Sequence, residues 1–151
     1  AMLLTEMNAA PILRPNSNVI AFDFGEKKIG VAIGNSITKT AHPLETIRKI
    51  KKVERIQSIE NLLKEWEPGI VVVGLPLNED GTESRLTLLA QNFAKKIENK
   101  FKVPTVLVDE RYTTVEAKIL LSGSVKSIRK GNQAIDQVAA QIILDAYFER
   151  I

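Results

Sequence analysis

Carboxylates stand at three places in the 151-residue chain where a charge is costly. Asp23 closes the apolar run "VIAFD", which otherwise reads as the inside of a strand. Asp109 and Glu110 close a second run, "VPTVLVDE", and Asp136 lies in the first turn of an apolar-striped segment from Gln133 to about Glu149. An isolated charge taken out of water is very unfavourable. Each position alone has an ordinary explanation. A hairpin aspartate can bond the backbone of its own turn, strand-end acids can stay solvated or pair with Arg111, and an acid at a helix start suits the macrodipole. Taken together they suggest more. Sites in open α/β sheets form outside the carboxyl ends of the strands, and acids closing the first and last strands can meet there with one from the last helix. Converging carboxylates raise one another's pKa values, and a divalent cation removes that conflict. With no cysteine and one histidine in the chain, an all-oxygen ligand set selects Mg²⁺ or Mn²⁺ rather than zinc. Two such ions about 3.5–4 Å apart can activate a water and stabilise a leaving oxygen in phosphodiester cleavage.

The elements that would position these acids are legible from periodicity. "VIAFDFGEKKIGVAIG" is two apolar runs joined by a short polar turn containing Gly25, which predicts a β-hairpin. Ser36 to Ile47 reads as a third strand with Pro43 at an edge or bend. Val53, Ile56, Ile59, Leu63 and Trp66 follow helical spacing, and Pro68-Gly69 ends that helix. "GIVVVGLPL" is the continuous β-branched run of a strand buried on both faces. After the loop "NEDGTES", Thr82 or Ser84 can start a helix that turns Leu86, Leu89, Phe93 and Ile97 to one side. Beyond "VPTVLVDE", Thr113 and Glu116 form a capping-box pattern that predicts a further helix. The last helix should bury Ile135, Val138, Ala139, Ile142 and Ala146. The layout is α/β: a mixed five-stranded sheet flanked by helices, antiparallel at its start and parallel where strands are reached through helices.

The length favours a single domain, read as residues 19–151 behind a flexible N-terminal tail of residues 1–18 that holds two prolines and three asparagines. No apolar run approaches the ~20 residues that span a bilayer, and no secretory signal pattern opens the chain, so a cytoplasmic location is expected. The net charge is only +3, but the positive charge is clustered. Arg48, Lys49, Lys51, Lys52 and Arg55 stand together against one acid, Glu54, and "KSIRKG" adds Lys126, Arg129 and Lys130 without one. Such clusters can neutralise phosphates, and they also occur as plain solvated surfaces. Lys27, Lys28, Lys126, Arg129 and Lys130 are the candidates for gripping a polyanion beside the acids.

"DFGEKKIGVAIG", "PLETI", "VVVGLPLNEDGT", "DERYTT" and "IDQVAAQIIL" together resemble the bacterial YqgF/RuvX family of Holliday-junction-resolvase-like proteins, in order and over nearly the whole chain from Val19. The resemblance implies an RNase H-like fold and a two-metal phosphodiesterase maturing the 5′ end of pre-16S ribosomal RNA, with precursor ribosomal particles as partners. It implies Asp23, Glu110 and Asp136 as catalytic metal ligands and Asp109 as an auxiliary acid. It also implies that Gly74 and Pro76 shape a loop offering Asn78 and Arg85 to a phosphate, with Arg111 either joining them or neutralising Asp109. Relatives such as the RuvC resolvases carry an acid at the end of the fourth strand, where this chain reads "GLP", so Glu110 has to reach across from the neighbouring strand.

Other readings differ in class. A resolvase of four-way or other structured DNA would use the same acids. A non-catalytic nucleic-acid-binding module would tolerate their loss. The hairpin "DFGEKKIG" also resembles the phosphate-binding hairpin of sugar kinases and actin-like ATPases, but those need two such domains, and one is present. A protein-kinase reading of "DFG" lacks the accompanying catalytic-loop and lysine motifs. His42, before Pro43, reads as structural.

Overall fold

The computed structural model describes residues 2–3, 16–48, 51–112 and 132–151. The opening apolar runs form β2 (Asn18–Phe24) and β3 (Ile29–Asn35), preceded by the two-residue β1 (Met2–Leu3). β4 (Ala41–Ile47) and α1 (Lys52–Trp66) follow, then β5 (Ile70–Leu75), α2 (Arg85–Phe101), β6 (Thr105–Asp109), a 3-10 turn (Glu110–Tyr112) and α3 (Asn132–Phe148). The strand order is β1-β6-β5-β2-β3-β4. β2, β3 and β4 are antiparallel neighbours, whereas β5 is parallel to β2 and β6 to β5. This is the expected mixed five-stranded sheet, with β1 added parallel to β6 at its edge. Met2 and Leu3, from the stretch read as a tail, therefore belong to the sheet.

Strand alternation sorts the core into two layers. Val19, Ala21, Ile70, Val72, Val106 and Val108 face α3, packing with Ala140, Ile143, Leu144 and Tyr147. Ile20, Phe22, Val71, Val73 and Leu107 face the opposite layer, with Ile59 and Leu62 of α1 and Ala94 and Ile97 of α2. Gln141 of α3 donates from Nε2 to the carbonyl of Ala41 at 3.0 Å, tying that helix to the edge strand. β4 starts later than expected, at Ala41, and its pairing with β3 shifts where Pro43 lies opposite Ala32. Proline cannot donate to a ladder, so an irregular edge position suits it.

Helix ends follow local chemistry. Ser84, not Thr82, caps α2: its hydroxyl accepts from the Thr87 backbone N–H, and Thr87 Oγ1 accepts from the Ser84 N–H at 2.9 Å. Thr87 thereby becomes a buried polar residue, with its hydroxyl donating to the Pro76 carbonyl. α1 ends before Pro68, with Glu67 in the left-handed conformation at φ 44°. Three apolar positions assigned to helix cores turn out exposed: Val53, Leu86 and Ile135. Val53 and Leu86 lie in the first turns of α1 and α2, and Ile135 near the start of α3, where a stripe can run past the edge of the sheet. On α2 the fully buried side is Thr87, Ala90, Ala94 and Ile97, with Leu89 and Phe93 half-buried beside it. The helix expected from Thr113 lies outside the described residues. Among the described residues, no helix is long and apolar enough to cross a membrane.

Candidate active site

β2, β5 and β6 run parallel, so their carboxyl ends share one edge of the fold. Asp23 lies near the end of β2, paired across the hairpin with Gly30. It belongs to the face that carries Val19 and Ala21, the face covered by α3. The turn after it is held from two helices. Arg55 of α1 donates to the carbonyls of Gly25 and Glu26, the latter at 2.9 Å, with its guanidinium 5.2 Å from the Phe24 ring centroid. Arg85, opening α2, engages the Glu26 carboxylate through both terminal nitrogens, Nη2 to Oε2 at 3.0 Å. The role of Arg55 was not legible in the sequence, where it is one member of a basic run. Its partners are about thirty residues away, and no local spacing reports them.

Glu110 begins the 3-10 turn just past β6, and its carboxyl is hydrogen-bonded to Asp23. β5 lies between β2 and β6, and the crossing depends on Gly74. A Cβ on Gly74 would stand 2.4 Å from Glu110 Oε1 and 2.5 Å from Ile143 Cδ1. The glycine of "GLP" is the gap through which the acid of the neighbouring strand reaches the first. Asp136 arrives from α3 over a second glycine: a Cβ on Gly30 would stand 2.1 Å from the Asp136 carbonyl oxygen. Lys28 places Nζ 3.1 Å from Asp136 Oδ2. That Oδ2 is buried and accepts no hydrogen bond of good geometry, so Lys28 compensates its charge without saturating it.

The electrostatics follow from this crowding. Burial first, then the charge of Asp23 and the hydrogen bond to it, then Asp109, push the Glu110 carboxyl from 4.5 to about 9. Glu110 therefore holds a proton at neutral pH and donates it to Asp23. Burial also raises Asp23, helped by the charge of Asp136 and opposed by the Glu110 hydrogen bond. Removing water disfavours the charged form, and like charges add to that cost.

Asp109 takes a different part. Its buried carboxylate accepts from Arg111 three ways: from the backbone N–H at 2.9 Å, from Nε, and from Nη2 at 2.7 Å. Arg111 lies against the loop after β5, where Gly81 has φ +87° and a Cβ would stand 3.0 Å from its Nη1. In that loop Asn78 Nδ2 donates to Thr82 Oγ1 at 2.9 Å, and Asp80 accepts from both the N–H and the hydroxyl of Thr82. Arg111 neutralises Asp109 and braces the loop. Lys27 is exposed on the hairpin turn beside the acids. Lys126, Arg129 and Lys130 lie outside the described residues.

Among the described residues, no three acidic, histidine or cysteine groups close around a single point as a finished metal cage would. The arrangement is nonetheless chemically suited to hard cations. It offers two hydrogen-bonded carboxyls and a buried carboxylate oxygen without a hydrogen bond. The proton on Glu110 and the ammonium of Lys28 occupy the positions in the charge balance that a divalent ion would take.

Residues 17–150 match the family model described as RuvX: Holliday junction resolvase. A relative from Nitrosospira multiformis is 47% identical over 131 residues, 87% of each chain, and one from Klebsiella pneumoniae is 49% identical over 133 residues, 87% of this chain and 95% of the relative. Both are named "Putative pre-16S rRNA nuclease". Among solved structures, the yeast mitochondrial Holliday junction resolvase Ydc2 superposes with a TM-score of 0.58 at 12% identity, over 97% of this chain and 83% of that one. Thermus thermophilus RuvC, solved with a Holliday junction substrate, gives 0.53 at 15% identity, over 88% and 95%. These two share the RuvC-like, RNase H-like fold. With the family model matched over residues 17–150 and relatives 47–49% identical over most of the chain, this protein belongs to the RuvX family.

Proposed function

We propose that the protein is a divalent-metal-dependent endonuclease that hydrolyses phosphodiester bonds in the 5′-end maturation of pre-16S ribosomal RNA. The observation that carries the reading is the Asp23–Glu110 pair, joined over Gly74 at the end of the parallel strands with Asp136 beside it. Asp23, Glu110 and Asp136 would hold Mg²⁺ or Mn²⁺, two ions in full occupancy, which when bound supply charge stabilisation and an activated water. Glu110 must give up its proton to serve as a ligand. Lys28 is then free to turn from Asp136 to the phosphate backbone, beside Lys27. Asn78, Arg85 and Arg111 line the approach from the loop after β5 and the head of α2, and Lys126, Arg129 and Lys130, outside the described residues, are further candidates for backbone contact by their charge. Asp109 acts as the auxiliary acid by orienting Arg111.

Precursor rRNA as substrate is supported by the names of the close relatives; precursor ribosomal particles as partners and a cytoplasmic site of action belong to the same proposal. A DNA four-way junction is the second reading, carried by the family description. The nuclease domain is built on residues 19–151, with Asn18 opening β2 and Met2 and Leu3 adding a strand to its sheet. The test is cleavage of end-labelled pre-16S 5′-leader RNA and a four-way DNA junction in Mg²⁺, Mn²⁺ or EDTA, by wild type and Asp23→Asn. Metal-dependent cutting of the leader that Asp23→Asn loses is the expected result. Cutting that survives Asp23→Asn or EDTA would overturn it, and cutting of the junction alone would transfer the activity to DNA.

A further inference from the structure

Arg55, from the basic run Arg48 to Arg55, reaches the turn beside the acid site. Two members of that run border something else: a groove of about 260 Å³ between α1 and α2. Phe24, Ile56, Leu89 and Phe93 form its floor, all half-buried rather than sealed. Phe24 follows Asp23 directly, so strand alternation sends its side chain to the opposite face of the sheet. The Phe24 and Phe93 rings lie 4.8 Å apart at a 36° tilt, and Phe93 meets Phe22 edge-on at 5.8 Å, which fixes it from beneath. Lys52, Arg55 and Lys96 form the rim, and none of the described residues lining the groove is acidic. Lys52 and Lys96 are exposed and make no ion pair among the described residues.

We propose that this groove is a subsite for one unpaired nucleotide of a single-stranded nucleic acid, its base against Phe93 and Phe24 and its neighbouring phosphates on Lys52 and Lys96. The inference rests on the reading of the protein as a nucleic-acid enzyme. An aromatic floor takes a flat, weakly polar ring, and a rim of cations without acids takes an anion; a nucleotide joins both in one ligand. The volume falls just under the roughly 300–1,000 Å³ of drug-sized sites, the scale of one ring system. A polynucleotide is favoured over a free nucleotide by position. The groove opens beside the Gly25–Lys28 turn, whose other side carries Asp23, so one strand passing over the turn can occupy both places. Stacking on aromatic side chains tolerates any base, so the subsite selects unpaired strand rather than sequence.

The test uses full-length protein in EDTA, so that binding is read without cleavage, with a fluorescein-labelled single-stranded RNA and a blunt RNA duplex. Phe93→Ala should weaken single-strand binding about 5- to 150-fold and leave duplex binding unchanged. Phe93 also packs in the core, so circular dichroism must show that variant folded. The Lys52→Glu/Lys96→Glu double variant alters exposed positions only and should lower the log–log salt slope on single strands by about 1.4. Photocrosslinking of wild type with 5-iodouridine oligomers should map to peptides of α1 or α2. Single-strand binding that neither the double variant nor an abasic substitution weakens, with crosslinks elsewhere, would overturn the subsite and leave the nuclease reading intact. Wild type binding neither RNA would overturn the subsite together with the rRNA reading, and leave the DNA-junction reading to its own cleavage test. Uridine monophosphate binding as tightly as the oligomer would overturn the commitment to a strand.

Discussion

Glu110 reaches Asp23 across the top of Gly74. The two acids close strands that are not neighbours, and β5 between them would keep them apart if any side chain stood at position 74. β5 ends in Gly74-Leu75 without an acid of its own, and the carboxyl comes from the far end of β6.

Gly74→Ala should therefore damage the site more than its size suggests. The new methyl would stand 2.4 Å from Glu110 Oε1 and 2.5 Å from Ile143 Cδ1. Overpacking of this kind costs about 1–3 kcal/mol, and the displaced Glu110 should lower cleavage at least about tenfold, since misplacement near 1 Å can cost a hundredfold. Thermal melting and leader cleavage measured on the same preparation check both. Normal cleavage with lowered stability would show that Glu110 need not cross Gly74.

Stability of the metal-free protein should fall as pH rises. Glu110 titrates near 4.5 when unfolded and at about 9 when folded, so the folded state binds its proton more firmly between those values. The contribution is fully present below the unfolded pKa and is lost as pH climbs through the folded one. Asp23, raised by burial, acts in the same direction. Melting temperatures in EDTA at about pH 5, 7 and 9 should decline, and Glu110→Gln should flatten much of that decline. Added Mg²⁺ should restore more stability at the alkaline end, where both carboxyls are ready to bind it. A Glu110→Gln protein with the wild-type slope would place the titration elsewhere.

Asp109→Asn separates a positioning acid from a metal ligand. Its carboxylate is occupied by Arg111, so the variant should loosen the Asn78–Glu83 loop and raise KM. Asp23→Asn should instead abolish turnover at any metal concentration. Steady-state cleavage over a Mg²⁺ series distinguishes them. An Asp109→Asn defect that high Mg²⁺ rescues would make Asp109 a ligand.

Charge reversal at Lys126 and Lys130 should weaken RNA binding. On a single strand it should also reduce the salt slope by about 0.7 for each phosphate that the protein no longer neutralises. Anisotropy titrations across a salt series report this directly. Unchanged affinity and slope would remove those lysines from the substrate surface.

The β2–β3 hairpin, the buried strand β5 and the helices stood out in the sequence because periodicity and turn chemistry are local properties. Asp23 and the pair Asp109-Glu110 could also be picked out, since a carboxylate at the end of an apolar run conflicts with its surroundings wherever the chain goes, and Asp136 stood at the margin of an apolar helix stripe; only the resemblance chose Glu110 over Asp109. Other features depended on residues brought together from distant parts of the chain. Val53, Leu86 and Ile135 fit the helical stripe yet are exposed, because periodicity gives a direction on the helix and not how far its neighbour extends. Gly74 read as part of a loop motif, whereas its function is the empty space above it. Arg55 read as one charge in a run, whereas packing assigns it to the hairpin turn and to the rim of the α1–α2 groove. Sequence alone determined which residues are chemically out of place. The tertiary structure decided which of them meet, because a meeting depends on what the strands and helices between them leave unfilled.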